Sequence, residues 1–471
     1  MPHRLFVLVA ALFLACFAGL ALPAAAQPIP PDIESVLARA RLPAGAVTIL
    51  VVDADAKSPP RISHRANAQV NPASVAKLAT TFAALDTLGP AFSWSTPVYV
   101  DGPVQSGTLN GNLYIKGVGD PKLVAERLWL LMRRVQGLGI RQIAGDIVLD
   151  RSAFETVAPD PGAFDGEPLR PYNAAPDALL LNFKALVMTF NPDRASGQAQ
   201  VHVEPPLAGV QMPQTVPTSA GECGDWRAGL RADFSDPVRV RFAGTYPSSC
   251  GERAWPVAYA DPRSYAARAV GGMWQELGGK LSGQVRDGRV PAGLRPVFDQ
   301  QSPALAEIVR DVNKFSNNVM AQQLFLTLSL QQKGTGTLEG SREVLRTWWQ
   351  GRLGGEVPTF DNGSGLSRDE RISAQQLARL LQYAWSSPLM SELMSSLPIS
   401  GTDGTLRRTR GRAPGTAHLK TGSLRDVSGV AGYVDAASGK RYVLVAIANH
   451  ANAAGLRPAV EALIDWTARD Q

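Results

Sequence analysis

Two residues near the amino terminus have the types and spacing needed for nucleophilic catalysis. Ser74 and Lys77 occur in the sequence Ser-Val-Ala-Lys, which follows Pro72, a residue whose fixed φ suits the first turn of a helix. Residues three apart on a helix share one face, so the lysine amine lies within reach of the serine hydroxyl. A lysine with a lowered pKa can take the hydroxyl proton while the serine attacks a carbonyl group. By itself, Ser-x-x-Lys is a weak signal that more often marks a solvated helix face.

Two further short motifs give this pair more weight. Ser316-Asn317-Asn318 follows an apolar helical pattern, and Lys420-Thr421-Gly422-Ser423 lies on a predicted strand. In this order, the three segments match the Ser-x-x-Lys, Ser-x-Asn and Lys-Thr-Gly set of penicillin-recognising serine enzymes.

The scarcity of lysine supports the same interpretation. Only 10 of the 47 basic residues are Lys, and the other 37 are Arg. A basic surface position in this chain is therefore usually Arg, yet Lys77 and Lys420 are both Lys. Arg cannot give up its proton, whereas a desolvated Lys can, so the two positions that need a titratable amine have one.

Other kinds of chemistry find no support in the sequence. The chain has no Gly-x-Ser-x-Gly elbow, no phosphate-binding loop and no His-Glu-x-x-His segment, and its five histidines lack ligand spacing. Gly117-x-Gly119 is followed by Asp120-Pro121 and not by a third glycine, so a dinucleotide fingerprint fails. A net charge of +6 over 471 residues, without a basic run, does not indicate a nucleic-acid partner. We therefore expect no metal and no cofactor.

The first 26 residues have the features of a secretory signal peptide. His3 and Arg4 precede a long apolar run that ends in small residues, as signal-peptidase cleavage requires. The sequence thus predicts an exported, periplasmic protein, and a retained membrane anchor is the alternative. Peripheral association with the membrane is left open. Two of the three cysteines remain after cleavage, and we predict that Cys223 and Cys250 form a disulfide, with two separate buried thiols as the alternative.

The patterns of apolar residues predict an α/β protein with an interruption. Helices are expected at 31–40 and from Pro72 to a stop at Gly89-Pro90, and strands at 46–53 and 61–65. Short strands dominate from about 92 to 294. The carboxyl-terminal part is expected to return to helices and then to a strand meander, with the segments 319–330, 341–349 and 374–385 helical, 417–422, 430–434 and 442–448 extended, and 453–469 a final helix.

One further helix is predicted to begin near residue 304. Its apolar residues share one face and should point inward: Leu305, Ile308, Val309, Val312 and Phe315.

With these motifs the chain resembles a known family, the class C low-molecular-mass penicillin-binding proteins. Members of that family are D-alanyl-D-alanine carboxypeptidases and endopeptidases. Besides the three motifs, the resemblance rests on four segments, 119–123, 145–150, 361–368 and 418–425. It implies an α+β, transpeptidase-like domain with an antiparallel sheet flanked by helices, interrupted by two nested β-rich domains. The expected division is signal peptide 1–26, catalytic parts 27–92 and 297–471, and insertion 93–296. The 242 residues between Ser74 and Ser316 fit that insertion, whereas a class A β-lactamase would place the two motifs closer together.

The resemblance also implies roles for the motif residues. Ser74 would attack the carbonyl of the penultimate D-Ala, Lys77 would be its base, and Ser316 would pass a proton to the leaving nitrogen. Asn318 would hold the substrate amide, and Lys420 with Thr421 would meet the terminal carboxylate.

Further residues are implied to contact the substrate. Gly422 would let the substrate backbone approach the strand, and the N–H groups of Ser74 and Ser423 would form the oxyanion hole. Arg368 and Arg425 are candidates for binding the acidic side chain of the stem peptide. An acid of the insertion, Asp165 or Glu167, is expected to reach the cleft, and His418 is expected to be a packed residue.

The function expected from this resemblance is hydrolysis of peptidoglycan stem peptides by way of an acyl-enzyme. The substrates would be pentapeptides or cross-linked muropeptides, and β-lactams would be covalent inhibitors. The alternatives are a catalytically weak cell-wall-binding protein of the same fold and a Ser-Lys esterase or β-lactamase. The sequence does not decide between carboxypeptidase and endopeptidase activity, and it leaves the oligomeric state open.

Overall fold

The computed structural model describes residues 28–155, 160–411 and 413–470. The predicted signal peptide, 1–26, lies outside these residues. Within the described part, no helix combines the length and hydrophobicity needed to cross a bilayer.

The structure begins with two helices and two strands, close to the predicted positions. They are α1 (Pro31–Arg39), β1 (Val47–Asp53), β2 (Ile62–His64) and α2 (Lys77–Leu88).

The middle of the chain consists mainly of short strands, as predicted. The first group comprises β3 (Ser95–Val100), β4 (Val104–Gln105), β5 (Thr108–Leu109), β6 (Leu113–Lys116), α3 (Ala125–Gly137), β7 (Gln142–Ile143) and β8 (Ile147–Asp150). The second group comprises β9 (Ala185–Asp193), β10 (Gln198–Glu204), β11 (Thr215–Ser219), α4 (Trp226–Leu230), β12 (Ala232–Asp236), β13 (Arg239–Phe242), β14 (Tyr246–Pro247) and β15 (Arg253–Ala258). The third group comprises α5 (Tyr265–Glu276), β16 (Lys280–Leu281), β17 (Val285–Asp287) and β18 (Phe298–Gln301).

The last part of the chain has six helices and a three-stranded meander among the described residues. They are α6 (Leu305–Phe315), α7 (Asn318–Lys333), α8 (Leu338–Arg352), α9 (Ala374–Trp385), α10 (Met390–Ser396), β19 (Ala417–Leu424), β20 (Val427–Asp435), β21 (Arg441–Asn449) and α11 (Leu456–Ala468).

The two ends of the chain form one antiparallel sheet, with strand order β19-β20-β21-β1-β2. Every residue of β1 is buried, because helices cover both faces of the sheet. Leu50 and Val52 pack on the side of α2 and α9, while Ile49 and Val51 pack on the side of α1 and α11. The predicted sheet with flanking helices is thereby confirmed.

The insertion consists of two nested units, also as predicted. Strands β3, β6, β8, β17 and β18 form one sheet, which packs with α3 and α5. The second group of strands lies between β8 and α5 in the chain and has a separate sheet and core. In that unit Cys223 and Cys250 form the predicted disulfide.

The boundaries of the insertion remain a proposal. Strand β18 lies after the expected boundary at residue 296, but it pairs with β3, the first strand of the insertion. We therefore propose that the inserted unit extends through Gln301.

A buried amide group joins the insertion to helix α7. The side chain of Gln323 accepts a hydrogen bond from the backbone N–H of Asp177 at 2.8 Å and donates one to its carbonyl oxygen at 2.9 Å. On the same helix, Thr327 accepts a hydrogen bond from the indole N–H of Trp94 at 3.0 Å. Since α7 begins at Asn318, these contacts fix the insertion relative to a candidate site residue.

Two details differ from the sequence-based expectations. The helix expected to begin near Pro72 starts as a 3₁₀ turn, Ala73–Ala76, and becomes α-helical only at Lys77. Phe315 was expected to point inward with its helical neighbours, but that prediction is wrong, because its side chain is 70% exposed. Phe315 is the last residue of α6, and the chain leaves the helix in a left-handed turn at Ser316 (φ 56°), so the helical period that predicted burial ends at Phe315.

Candidate active site

Ser74 lies in the 3₁₀ turn that leads into α2. Asn71 stabilises the turn by accepting a hydrogen bond from the N–H of Ala73 at 2.9 Å, and Ala73 has a positive φ of 47°. Gly365 packs so tightly here that a Cβ atom on it would lie 1.9 Å from the Ala73 carbonyl oxygen. The backbone around the serine is therefore held by close packing from a distant segment of the chain.

Lys77 follows one turn later and is completely buried. Its amine donates hydrogen bonds to Ser74 Oγ at 2.8 Å, to Asn318 Oδ1 at 2.7 Å and to the carbonyl oxygen of Ser364. Burial lowers the pKa of Lys77 to about 7, and the Glu370 carboxyl opposes this shift without cancelling it. An amine with this pKa, in contact with a serine hydroxyl, has the geometry and the basicity of a general base.

Ser316 and Lys420 form the second pair of the site. The amine of Lys420 donates to Ser316 Oγ at 2.9 Å and to the carbonyl oxygen of Thr421 at 2.7 Å. Lys420 is also completely buried, and burial, together with the nearby charge of Lys77, holds its pKa well below the usual range. Ser316 reaches this position because it occupies the turn between α6 and α7.

Asn318 connects the first lysine to the insertion. Its side-chain oxygen accepts from Lys77, and its side-chain nitrogen donates to the carbonyl oxygen of Tyr172 at 3.2 Å. The preceding residue, Asn317, caps α7 by accepting from the N–H of Met320 at 3.0 Å. The amide of Asn318 therefore has a fixed orientation beside the Ser74–Lys77 pair.

The Lys-Thr-Gly segment lies on β19, the last strand of the central sheet in its hydrogen-bonded order. A Cβ atom on Gly422 would lie 2.7 Å from the Pro72 carbonyl oxygen and 3.0 Å from the Ser74 nitrogen, so only glycine allows this approach. Thr421 donates a hydrogen bond to Thr405 Oγ1 at 2.7 Å, and Ser423 is exposed. The strand thus brings all three residues to the rim of the site.

The two arginines predicted to contact substrate have different surroundings. Arg368 forms an ion pair with Asp426 at 3.0 Å, and its guanidinium carbon lies 4.7 Å from the centre of the Phe164 ring. Arg425 is exposed, and its side chain has no hydrogen-bond partner among the described residues. The structure therefore places Arg368 against Phe164 of the insertion and leaves the Arg425 side chain exposed to solvent.

The predicted acids of the insertion lie on the loop that carries Tyr172. Asp165 accepts hydrogen bonds from the Tyr172 hydroxyl at 2.9 Å and from Asn173 at 2.8 Å. Glu167 is paired with Arg170 at 3.3 Å. Neither contacts the Ser74 cluster directly.

His418 precedes Lys420 on β19 and is partly buried. Burial lowers its pKa, which favours the neutral imidazole. This position is compatible with the packed role expected for it.

Three contributors to the site were not identified from the sequence. Two are backbone carbonyl groups, those of Ser364 and Tyr172, which a search for reactive side chains cannot find. A signal for the first existed in the sequence, since Gly363 and Gly365 flank the serine and both have positive φ, 74° and 77°.

The third is Glu370, which is 1% exposed and accepts a hydrogen bond from the N–H of Asp361 at 3.2 Å. Burial raises the pKa of its carboxyl to about 7. Nothing in the sequence around it indicated a buried acid.

A serine in contact with a buried lysine, a second serine–lysine pair, and an edge strand bearing Lys-Thr-Gly together define the class of penicillin-recognising serine enzymes. The chain belongs to the D-Ala-D-Ala carboxypeptidase 3 (S13) family, whose model matches residues 30–470. This confirms the serine-type D-Ala-D-Ala carboxypeptidase predicted from the motifs, at the level of the family.

Individual relatives agree with this assignment. A D-alanyl-D-alanine carboxypeptidase of Actinomadura sp. is 30% identical over 435 residues, which are 87% of this chain and 79% of the relative. The D-alanyl-D-alanine carboxypeptidase DacB of Haemophilus influenzae is 25% identical over 391 residues and covers 80% of both chains.

Solved structures share the fold. Penicillin-binding protein 4 of Haemophilus influenzae superposes with a TM-score of 0.75 and 22% identity, over 93% of this chain and 99% of the other. A predatory endopeptidase of Bdellovibrio bacteriovorus superposes with a TM-score of 0.52 and 16% identity, over 89% and 94%.

Proposed function

We propose that this protein hydrolyses the bond between the last two D-alanines of peptidoglycan stem peptides through an acyl-enzyme on Ser74. The observation that carries the proposal is the 2.8 Å contact between Lys77 Nζ and Ser74 Oγ in a site where burial lowers the lysine pKa to about 7. At neutral pH a large fraction of the amine is then unprotonated and able to accept the serine proton.

In the acylation step, Lys77 takes the proton as Ser74 Oγ bonds to the carbonyl carbon of the penultimate D-Ala. The carbon–nitrogen bond then breaks, and the proton that Lys77 took is relayed through the hydroxyl of Ser316 to the leaving D-Ala nitrogen, which leaves Lys77 neutral again. Ser316 is held by its hydrogen bond from Lys420. Water attacks the resulting ester, the acid product leaves, and the Ser74 hydroxyl is restored. The N–H groups of Ser74 and Ser423 would stabilise the oxyanion, a type of contact worth about 10²–10³ in rate.

Substrate selection is assigned to β19 and its neighbours. Lys420 and Thr421 would bind the terminal carboxylate by charge-assisted hydrogen bonds, which favours peptides with a free carboxyl end. Gly422 leaves room for an extended peptide along the strand, and Asn318 would hold the substrate amide.

The stem-peptide side chain has its own candidates. Arg368 and Arg425 would bind its acidic group. Asp165 or Glu167 would be the acid that the insertion contributes to the substrate-binding cleft. β-Lactams would acylate Ser74, as the solved β-lactam complex of the Haemophilus influenzae relative supports.

The proposal also covers the location of the protein and the bonds that it cleaves. Residues 1–26 would direct export to the periplasm. The names of the relatives include both carboxypeptidases and endopeptidases, so terminal D-Ala release and cleavage of cross-links both belong to the proposal.

Acylation by a fluorescent penicillin tests this function directly. Wild-type protein should gain one label on the peptide that contains Ser74, and Ser74→Ala should lose it. Ser395→Ala, which removes a hydroxyl from an exposed serine, is the matched control and should label normally. Absence of labelling in the wild type, or labelling of Ser74→Ala at the same peptide, would refute the proposal.

Incubation with a pentapeptide then separates the alternatives. Release of D-Ala, detected by mass spectrometry, is expected from the peptidase. A non-catalytic wall-binding protein would release none, and an esterase or β-lactamase would turn over esters or penicillin without releasing D-Ala.

A further inference from the structure

A cavity of about 660 Å³ lies at the carboxyl end of α6, where the chain turns into Ser316. Phe315, the residue before Ser316, lines it on one side. Gly404 lines it on the other, next to Thr405, whose hydroxyl accepts the hydrogen bond from Thr421. Through these neighbours, the cavity is one residue along the chain from Ser316 and one side-chain contact beyond Gly404-Thr405 from Thr421, the two residues to which the proposed function assigns the leaving group.

Phe315 gives this cavity an apolar wall. At 70% exposure it is the most exposed large hydrophobic side chain in the part of the chain that the structure describes. A single exposed apolar residue is ordinary on a protein surface. This one, however, stands next to a proposed catalytic serine, where a substrate could cover it.

The charged groups of the cavity leave an excess of positive charge. Lys314 and Asp403 form a salt bridge at 2.6 Å, and Asp311 is engaged by Lys122 of the insertion. Arg310 and Arg407 are exposed, and neither forms an ion pair among the described residues. Both acids of the cavity thus have a lysine partner. Arg310 also acts on Asp403 through space but makes no ion pair with it, so the guanidinium groups of Arg310 and Arg407 are available to a carboxylate.

Arg310 is also oriented by the protein. Its side chain donates a hydrogen bond to the carbonyl oxygen of Ser395 at 3.0 Å. At the back of the cavity, Lys314 donates to the carbonyl oxygen of Leu397 at 2.6 Å, so its pair with Asp403 is anchored to the backbone. One side of the cavity is therefore held in place by contacts within the protein.

We propose that this cavity binds the leaving-group side of a cross-linked substrate, namely a second stem peptide, with its carboxylate near Arg310 and Arg407 and its apolar part against Phe315. This inference rests on the proposed function, because it places the leaving nitrogen at Ser316. In a pentapeptide the leaving group is a single D-Ala and ends at Thr421. In a cross-linked dimer the leaving amine carries a whole second peptide, which must continue beyond Ser316 and Thr421, where the cavity lies.

The chemical step is the same for both substrates. The carbonyl–nitrogen bond breaks, the acyl group stays on Ser74 Oγ, and the released amine takes the proton delivered through Ser316. Only the size and charge of the departing amine differ. Replacing side chains of the cavity should therefore lower kcat/KM for the dimer more than kcat/KM for the pentapeptide.

The test compares full-length wild type with Phe315→Ala and with the double variant Arg310→Gln/Arg407→Gln. For each protein, kcat/KM is measured by mass spectrometry for cleavage of a purified cross-linked muropeptide dimer and for D-Ala release from the corresponding pentapeptide. We expect the ratio of the two values to fall at least tenfold in the double variant and about threefold in Phe315→Ala. Arg408→Gln removes an exposed arginine that does not line this cavity, and its ratio should equal that of the wild type.

Three outcomes would overturn the inference: an unchanged ratio in both cavity variants, an equal loss on both substrates, or a wild type that releases D-Ala but never cleaves the dimer. Failure of the proposed function itself is distinguishable, since the wild type would then neither label with penicillin nor release D-Ala. Penicillin labelling of each variant also verifies that it is folded.

Discussion

Among the described residues four lysines are buried, two in the active-site cleft and two outside it. The cleft lysines, Lys77 and Lys420, contact only hydroxyl and carbonyl oxygens. Lys184 and Lys314 each contact a carboxylate, Asp177 at 2.9 Å and Asp403 at 2.6 Å. The same residue type is thus buried in two different ways.

The difference separates a reactive amine from a structural one. A buried ammonium group with neutral partners is destabilised by desolvation, so the pKa of the amine falls and it can act as a base. A buried ammonium group that touches a carboxylate has its charge balanced in place. The Glu370 carboxyl acts on Lys77 through space and is itself buried, and it opposes the lowering of the lysine pKa without reversing it.

The largest expected effect comes from replacing the base with a cation that cannot titrate. Lys77→Arg should reduce the rate of acylation by penicillin by about 10³-fold, because arginine keeps its proton. Stopped-flow measurement with a fluorescent β-lactam checks this. Lys184→Arg, which keeps a cation beside Asp177, should acylate within about twofold of wild type per folded molecule. A Lys77→Arg variant that acylates within tenfold of wild type would contradict the assignment of Lys77.

The opposite change tests the structural lysine. Asp177→Asn leaves Lys184 and Arg151 facing an uncharged amide, since both form salt bridges with Asp177. Removing one partner of a buried ion pair should lower the free energy of unfolding by about 3 kcal/mol, as measured by urea denaturation.

Glu339→Gln is the control for that experiment. The Glu339 side chain is 72% exposed and pairs with Arg342 at the surface, so its loss should change the free energy of unfolding by less than about 1 kcal/mol. Equal effects of the two substitutions would show that burial does not distinguish these pairs.

The smallest effect is a pH dependence. Because the base must be neutral and burial lowers the pKa of Lys77 to about 7, the neutral fraction rises about tenfold per pH unit below that value and levels off above it. The second-order rate of penicillin acylation should therefore rise by about tenfold between pH 5 and pH 6 and flatten above about pH 8. A rate that is constant from pH 5 to pH 8 would mean that Lys77 does not titrate in this range.

Much of the catalytic unit could be predicted because local patterns control it. The burial of β1 on both faces appears in the sequence as an uninterrupted apolar run, and Pro72 with Gly89 delimits the first helix within a few residues. The Ser74–Lys77 contact depends only on the spacing of a helical turn, so the prediction from the motif agrees with the structure. The disulfide could be predicted because only two of the three cysteines, Cys223 and Cys250, lie outside the predicted signal peptide.

Other features depend on residues far apart in the chain. Phe315 continues the apolar period of its helix, yet it is the last residue of α6 and is 70% exposed, because burial depends on what other segments pack against that end of the helix. Asn318 receives its orientation from the Tyr172 carbonyl, 146 residues away, and Lys77 contacts the Ser364 carbonyl, 287 residues away. Every residue has a backbone carbonyl group, so the sequence does not indicate which of them will contact the site.

By itself, the sequence determined which side chains could react and in what order they occur, because reactivity depends on residue type and short spacing. The tertiary structure alone decided which buried lysines meet only hydroxyl and carbonyl oxygens and which meet a carboxylate, because most of those partners come from distant segments of the chain. It also decided that Arg310 and Arg407, 97 residues apart in the chain, line one cavity together with Phe315. In the proposed function, only the cross-linked dimer is long enough to reach that cavity, and the pentapeptide is not.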